Sequence, residues 1–168
     1  MIPTGYTELD RIIGGLGNGK YIIAAAQPCA DGTAFAMNIS INAATRRAHP
    51  EPVLYISLEM SRGDVASNML CIMTRIDIHR LQQGRLTAAD LPKLALATEK
   101  LSKAPFFIEV ESLISLKTLR AKAREMKERH HIGLIVVDYL HRSASPMPGK
   151  GPSEVPTISH GLKEMAHE

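Results

Sequence analysis

Four short apolar runs, separated by stretches with helical periodicity, leave this chain very few ways to fold. They are YIIAAA (21–26), VLYISLE (53–59), FFIEV (106–110) and GLIVVDY (133–139). Each is β-branched, five to seven residues long and apolar almost throughout. Such runs suit strands covered on both faces of a parallel sheet, where alternation with polar residues is lost.

The intervening segments read as helices. From residue 115 to 130, Leu116, Leu119, Ala123 and Met126 make one apolar stripe. From Thr87 onward, Leu91, Leu94, Ala95 and Leu101 are expected on one face. Thr87 and Asp90, like Ser61 and Asp64, have the spacing of a capping box. Strands alternating with helices of this length imply right-handed βαβ units and therefore an α/β fold. Residues 141–156, rich in proline and glycine, read as a mobile loop. A last segment, TISHGLKEMAHE (157–168), reads as a weak helix because Gly161 lies inside it and Pro156 just before it.

With 168 residues, 45% hydrophobic and 22% charged, the chain has the make-up of one ordinary globular domain rather than of a disordered or membrane protein. Neither a leader pattern nor an apolar run approaching a membrane span is visible, so a cytoplasmic location without membrane contact is expected. Cys29 and Cys71 stand outside any metal-ligand spacing and read as thiols of a reducing compartment. His130, His131 and His141 read as helix-end and loop histidines rather than a metal site.

The stretch YIIAAAQPCADGTAFAMNIS (21–40) is a strand, a tight turn and an apolar helix, the outline of a phosphate-binding loop. Such a loop aims backbone N–H groups from the head of a helix at phosphate oxygens, and a lysine supplies the compensating charge. Here the nearest upstream lysine is Lys20, in front of the strand.

In order, IPTGYTELDRIIGGL, IIAAAQP…TAFAMNI, PVLYISLEMS, RLQQGRLTAADLPKL, LRAKAREMKERHHIGLIVVDYL and ISHGLKEMAHE resemble the motor domain of DnaB-type hexameric replicative DNA helicases. The resemblance implies a RecA-like P-loop NTPase core, a mainly parallel sheet flanked by helices, over residues 1–140, with 157–168 a terminal helical segment of the same domain. It implies ATP and Mg²⁺ as cofactors, single-stranded DNA as the polymer pulled through a homohexameric ring, and a replicative helicase or its loader proteins as partners. Measured against the family pattern, the chain starts at the first block of the motor and stops before its later strands, DNA loops and arginine finger. A core truncated at its C-terminal side, unable to form a stable ring alone, is therefore expected.

Carried over residue by residue, the family's loop Gly-Lys-Thr falls on Asp31, Gly32 and Thr33. Thr33 is implied as an Mg²⁺ ligand, Asp138 as the Walker B carboxylate and Glu59 as the general base. His141 stands at the position of a sensor glutamine, and Gln27 at one where arginine is usual. Asp31 puts a negative charge where phosphates belong. At about 4 Å, like unit charges repel by roughly 1 kcal/mol in water and about 4 kcal/mol at an effective dielectric near 20. That weakens binding about tenfold to several-hundred-fold. The site reads as switched off rather than rewritten, because no new cation or ligand set replaces what is lost. Two other readings stand beside it: a non-catalytic interaction module or decoy for a replicative helicase or its loader, and a residual weak ATP binder. The basic run 117–131 reads as the solvated face of an amphipathic helix in preference to a DNA-contacting face.

Overall fold

In the computed structural model, which describes residues 1–26, 32–45, 48–111, 114–138 and 154–168, three of the four apolar runs are strands. β1 (Val53–Ser57), β2 (Phe106–Val110) and β3 (Leu134–Asp138) form one parallel sheet in the order β2-β1-β3. A central strand covered on both faces must be apolar throughout. Val53, Leu54, Tyr55 and Ile56 of β1 are accordingly all 0% exposed. At about 1.5–3 kcal/mol per fully buried large side chain, β1 is the principal anchor of the core.

The helices are α1 (Thr7–Ile13), α2 (Gly32–Thr45), α3 (Arg62–Thr74), α4 (Ile78–Gln82), α5 (Asp90–Lys103), α6 (Leu116–His130) and α7 (Glu154–His167), of which α2, α3, α6 and α7 pack on the sheet. Strand parity divides them. Leu54 and Ile56, with Phe107, Ile135 and Val137, pack against Leu119 and Met126 of α6 and Leu162 of α7. Tyr55, with Phe106, Ile108 and Val136, faces the other way, against Met37 and Ile41 of α2 and Val65 and Met69 of α3. In register, Tyr55 stands opposite Val136 and Ser57 opposite Asp138, so all four belong to the α2–α3 face.

The stripe expected on α6 is present, with Leu119, Ala123 and Met126 buried. The Ser61 box also forms: Ser61 Oγ accepts from the Asp64 amide at 3.2 Å and donates to its carboxylate at 2.6 Å. The α5 face differs from expectation. Leu91 is 57% exposed and Ala95 is exposed too, while Asp90 and Ala97 are buried and Leu94 and Leu101 partly so. The cause is Asp90, whose Oδ2 accepts from the Thr87 amide (2.8 Å), the Thr87 hydroxyl (2.7 Å) and Arg80 Nη2 (2.5 Å). These bonds hold Asp90 inward and roll the apolar stripe around the helix.

Residues 21–26 are the larger departure. They were expected as a strand but are irregular, with Ile22 48% and Ile23 61% exposed. Three of the six residues are alanines, which offer a sheet little side chain to pack. Between this segment and β3 lies a cleft of about 1830 Å³, lined among others by Ile22, Thr33, Met37, Val136 and Asp138. The β3 edge away from β1 has no strand partner among the described residues.

The C-terminal segment is more regular than expected. α7 begins at Glu154, places Pro156 in its first turn, where a missing N–H is harmless, and continues through Gly161. A Cβ on Gly161 would lie 2.0 Å from Leu116 Cδ2, so the glycine allows α7 to lie directly on α6. No helix among the described residues is long and apolar enough to cross a membrane.

Candidate functional site

Asp138 is the last residue of β3 and 9% exposed. A carboxylate this enclosed needs donors, and each of its oxygens has one. Thr33 Oγ1 donates to Oδ1 at 3.1 Å, and the Tyr55 hydroxyl donates to Oδ2 at 2.7 Å. Thr33 comes from the first turn of α2 and Tyr55 from the middle of β1, so three separate elements meet on one carboxylate. The parity of the sheet causes this: Tyr55, Ser57 and Asp138 share the face on which α2 lies.

Tyr55 is fully enclosed and stacked on Phe106, with ring centroids 6.1 Å apart. Burial first, and the adjacent Asp138 charge second, push its phenol far above the ordinary tyrosine range. It therefore remains a protonated donor throughout the pH range of a folded protein.

Glu59 is exposed, in the bend that follows β1. Ser57 shapes that bend, since its hydroxyl both donates to Met60 O and accepts from Met60 N, each at 3.0 Å. The Leu58 amide donates to Asp138 O at 3.3 Å, tying the bend to the end of β3. Glu59 thus follows the end of β1, two residues beyond Ser57, which stands opposite Asp138 in register.

Gly32 opens α2 as described, and a Cβ there would come within 3.1 Å of Ala26 Cβ. Asp31, Gln27 and His141 lie outside the described residues. Thr33, Asp138 and Glu59 are therefore brought to one end of the sheet, with Gly32 at the same helix head. Sequence reasoning missed Tyr55 and Ser57. The available signal was a pair of polar-tipped residues inside a strand otherwise wholly buried, since a buried hydroxyl requires a partner.

The basic run has mostly structural partners. Arg120 pairs with Glu164 at 3.0 Å, Lys122 with Glu109 at 2.9 Å, Arg124 with Glu168 at 2.8 Å and Arg129 with Glu125 at 2.9 Å. His130 lies against Phe107 in a tilted ring contact with centroids 4.3 Å apart, and His131 caps α6 in a left-handed conformation. Among the described residues no group of three or more His, Cys, Asp or Glu is placed to hold a metal.

An enclosed strand-end carboxylate bonded to a hydroxyl at a helix head, beside an acidic bend on the next strand, is the arrangement of a P-loop NTPase core. The family described as DnaB-like helicase C terminal domain matches residues 1–168, and the chain belongs to that family. It is 40% identical over 173 residues to the replicative DNA helicase DnaB of Geobacillus stearothermophilus, covering 99% of this chain and 37% of the relative. To the replicative DNA helicase DnaC of Bacillus subtilis it is 38% identical over 169 residues, covering 99% and 37%. The chain thus spans little more than a third of the length of these relatives. A solved DnaB-like replicative helicase superimposes with a TM-score of 0.85 at 25% identity, covering 99% of this chain and 40% of that one. A solved ATPase domain gives 0.84 at 25%, covering 98% and 59%. The fold is the α/β, RecA-like core of this family.

Proposed function

We propose that the chain is a DnaB-type motor domain whose nucleotide site keeps its metal-binding half and has lost its phosphate-binding half. The observation that carries this reading is the Thr33–Asp138 hydrogen bond, formed while the adjoining sequence reads Asp31-Gly32 instead of Gly-Lys. One carboxylate and one hydroxyl, completed by water and substrate phosphates, are what Mg²⁺ commonly takes in nucleotide sites. The residues present therefore fit Mg²⁺ brought in with ATP, and such an ion, when bound, neutralises charge on the phosphates. Thr33 and Asp138 would hold it, and Glu59 would orient the attacking water. By sequence, Asp31 and Gly32 stand where the family keeps glycine and lysine, so this position carries a negative charge in place of a positive one, and that charge disfavours phosphate.

Nucleotide binding is accordingly weak and hydrolysis close to background. Helicase activity, single-stranded DNA, a homohexameric ring and a primase or loader partner are inherited associations of the family. Primase contact is described for the solved DnaB-like helicase above. In this chain such contacts act through a domain that does not turn over ATP efficiently, in the setting of DNA replication.

The test is a titration with a labelled ATP analogue in magnesium. Asp31→Gly with Gly32→Lys removes the opposing charge and restores the cation. Among the described residues the added Cβ meets Ala26, on an irregular exposed segment that is able to give way. Affinity is expected to rise at least about tenfold, or about 1.4 kcal/mol. Equal binding by parent and double variant would show that the loop does not cradle phosphate. A DNA-stimulated ATPase in the parent, abolished by Glu59→Gln, would refute the loss of activity.

A further inference from the structure

Tyr55 has no role among the residues carried over from the family, yet it makes the shorter of the two bonds to Asp138. Its hydroxyl is delivered from the central strand, whose side chains here are 0% exposed, and its ring is clamped between Phe106 and the α2–α3 side chains. Such a donor has almost no freedom to move. Thr33, by contrast, lies at a helix head next to an irregular segment and a large cleft, and is only partly buried. Of the two donors on Asp138, the phenol is the rigid one.

The two oxygens therefore differ. Oδ2 points into the core and is occupied by Tyr55; Oδ1 points toward Thr33 and the cleft. A carboxylate held at one oxygen by a fixed donor cannot rotate its other oxygen away, so Oδ1 stays beside the Thr33 hydroxyl before any cation arrives. Preorganisation of this kind lowers the ordering cost of binding.

Building on the proposed Mg²⁺–nucleotide site, we infer that Tyr55 is a positioning residue, which holds Asp138 through Oδ2 so that Oδ1 and Thr33 Oγ1 together present a ready-made seat for a divalent cation. Tyr55 itself does not touch the cation. Its hydroxyl stays on Oδ2 both before and after binding.

The test uses Mn²⁺ with a non-hydrolysable ATP analogue, read by electron paramagnetic resonance, in the parent chain and in the Asp31→Gly, Gly32→Lys background. Tyr55→Phe keeps the ring and its stack on Phe106 and removes only the hydroxyl. Mn²⁺ affinity is expected to fall about tenfold, since a hydrogen bond to a charged group is the one interaction lost. Asp138→Asn is expected to abolish binding. A hydroxyl that merely stabilises the fold would lower the melting temperature and leave Mn²⁺ affinity unchanged. That result, with Asp138→Asn still inactive, overturns the inference and leaves the site reading intact. If neither background binds Mn²⁺, or Asp138→Asn binds like its parent, both fall together.

A second measurement needs no variant at position 55. The bonded phenolic proton is expected as a slowly exchanging downfield resonance that is missing in Asp138→Ala, which leaves no acceptor, and persists when Mg²⁺ and the analogue are added. Its disappearance on adding Mg²⁺ would show that Tyr55 competes with the cation instead of holding its ligand, and would overturn the inference even if Tyr55→Phe proved too unstable to assay.

Discussion

Single side chains in this protein act mainly by where they fix a charge. Asp138 is held from two elements at once, and Asp90 from the turn before its own helix and from Arg80 on α4. Hydrogen bonds from the Thr87 hydroxyl and amide, with Arg80 beside them, lower the Asp90 pKa from 3.8 to about 2. A carboxylate with a depressed folded-state pKa stabilises the fold above its unfolded value, and that contribution disappears as pH falls through the folded value. Stability due to Asp90 is thus fully present above about pH 4 and lost toward about pH 2. Urea denaturation across that window is expected to show a shallower acid dependence in Asp90→Asn than in the parent. Identical slopes would mean that the Thr87–Asp90–Arg80 cluster is not formed in solution.

At the level of elements, α7 shows why a residue that weakens a helix locally is retained. Glycine costs a helix about 1 kcal/mol relative to alanine. At position 161 any Cβ would collide with Leu116, because α7 approaches α6 too closely. The two effects separate in a cycle. In the Leu116→Ala background, Gly161→Ala is expected to stabilise the chain by about 0.5–1 kcal/mol, because only propensity remains. In the parent, overpacking of about 1–3 kcal/mol offsets or reverses that gain. Equal effects in both backgrounds, measured by urea unfolding, would mean that α7 does not rest on Leu116. The ion pairs from Arg120 and Arg124 to Glu164 and Glu168 secure the same contact, but exposed pairs of this kind contribute little individually.

For the molecule as a whole, stability is graded outward from β1. The amides of residues 53–57 lie between two strands and under helices on both faces, whereas residues 21–26 have no strand partner among the described residues and two exposed isoleucines. Hydrogen exchange is therefore expected to be slowest in β1 and close to unprotected across 21–26. Comparable protection in the two segments would place 21–26 on the β3 edge as a fourth strand. The β3 edge, which has no strand partner among the described residues, is also a template for association. Self-association in light scattering is expected to decrease on Ile23→Lys, and an equally associated variant would exclude this edge as the contact.

The local code was enough for much of this. Apolar runs of β length placed β1, β2 and β3, the Leu119–Ala123–Met126 periodicity placed the buried face of α6, and the Ser61–Asp64 spacing placed the start of α3. In each case the signal and the force that satisfies it lie within a few residues of one another. Thr33, Glu59 and Asp138 were legible as candidate site residues through the order of the family's blocks. Other features depend on groups distant in the chain. Residues 21–26 carry a strand-like pattern, yet a strand exists only by pairing with a neighbour. The roll of α5 follows from the bonds that Thr87 and, from ten residues upstream, Arg80 make to Asp90. Tyr55 meets Asp138 across 83 residues, because parallel register and side-chain parity set both on one face of the sheet. Local periodicity carries no information about which buried hydroxyl will find which buried carboxylate; only the packing of the sheet decides that.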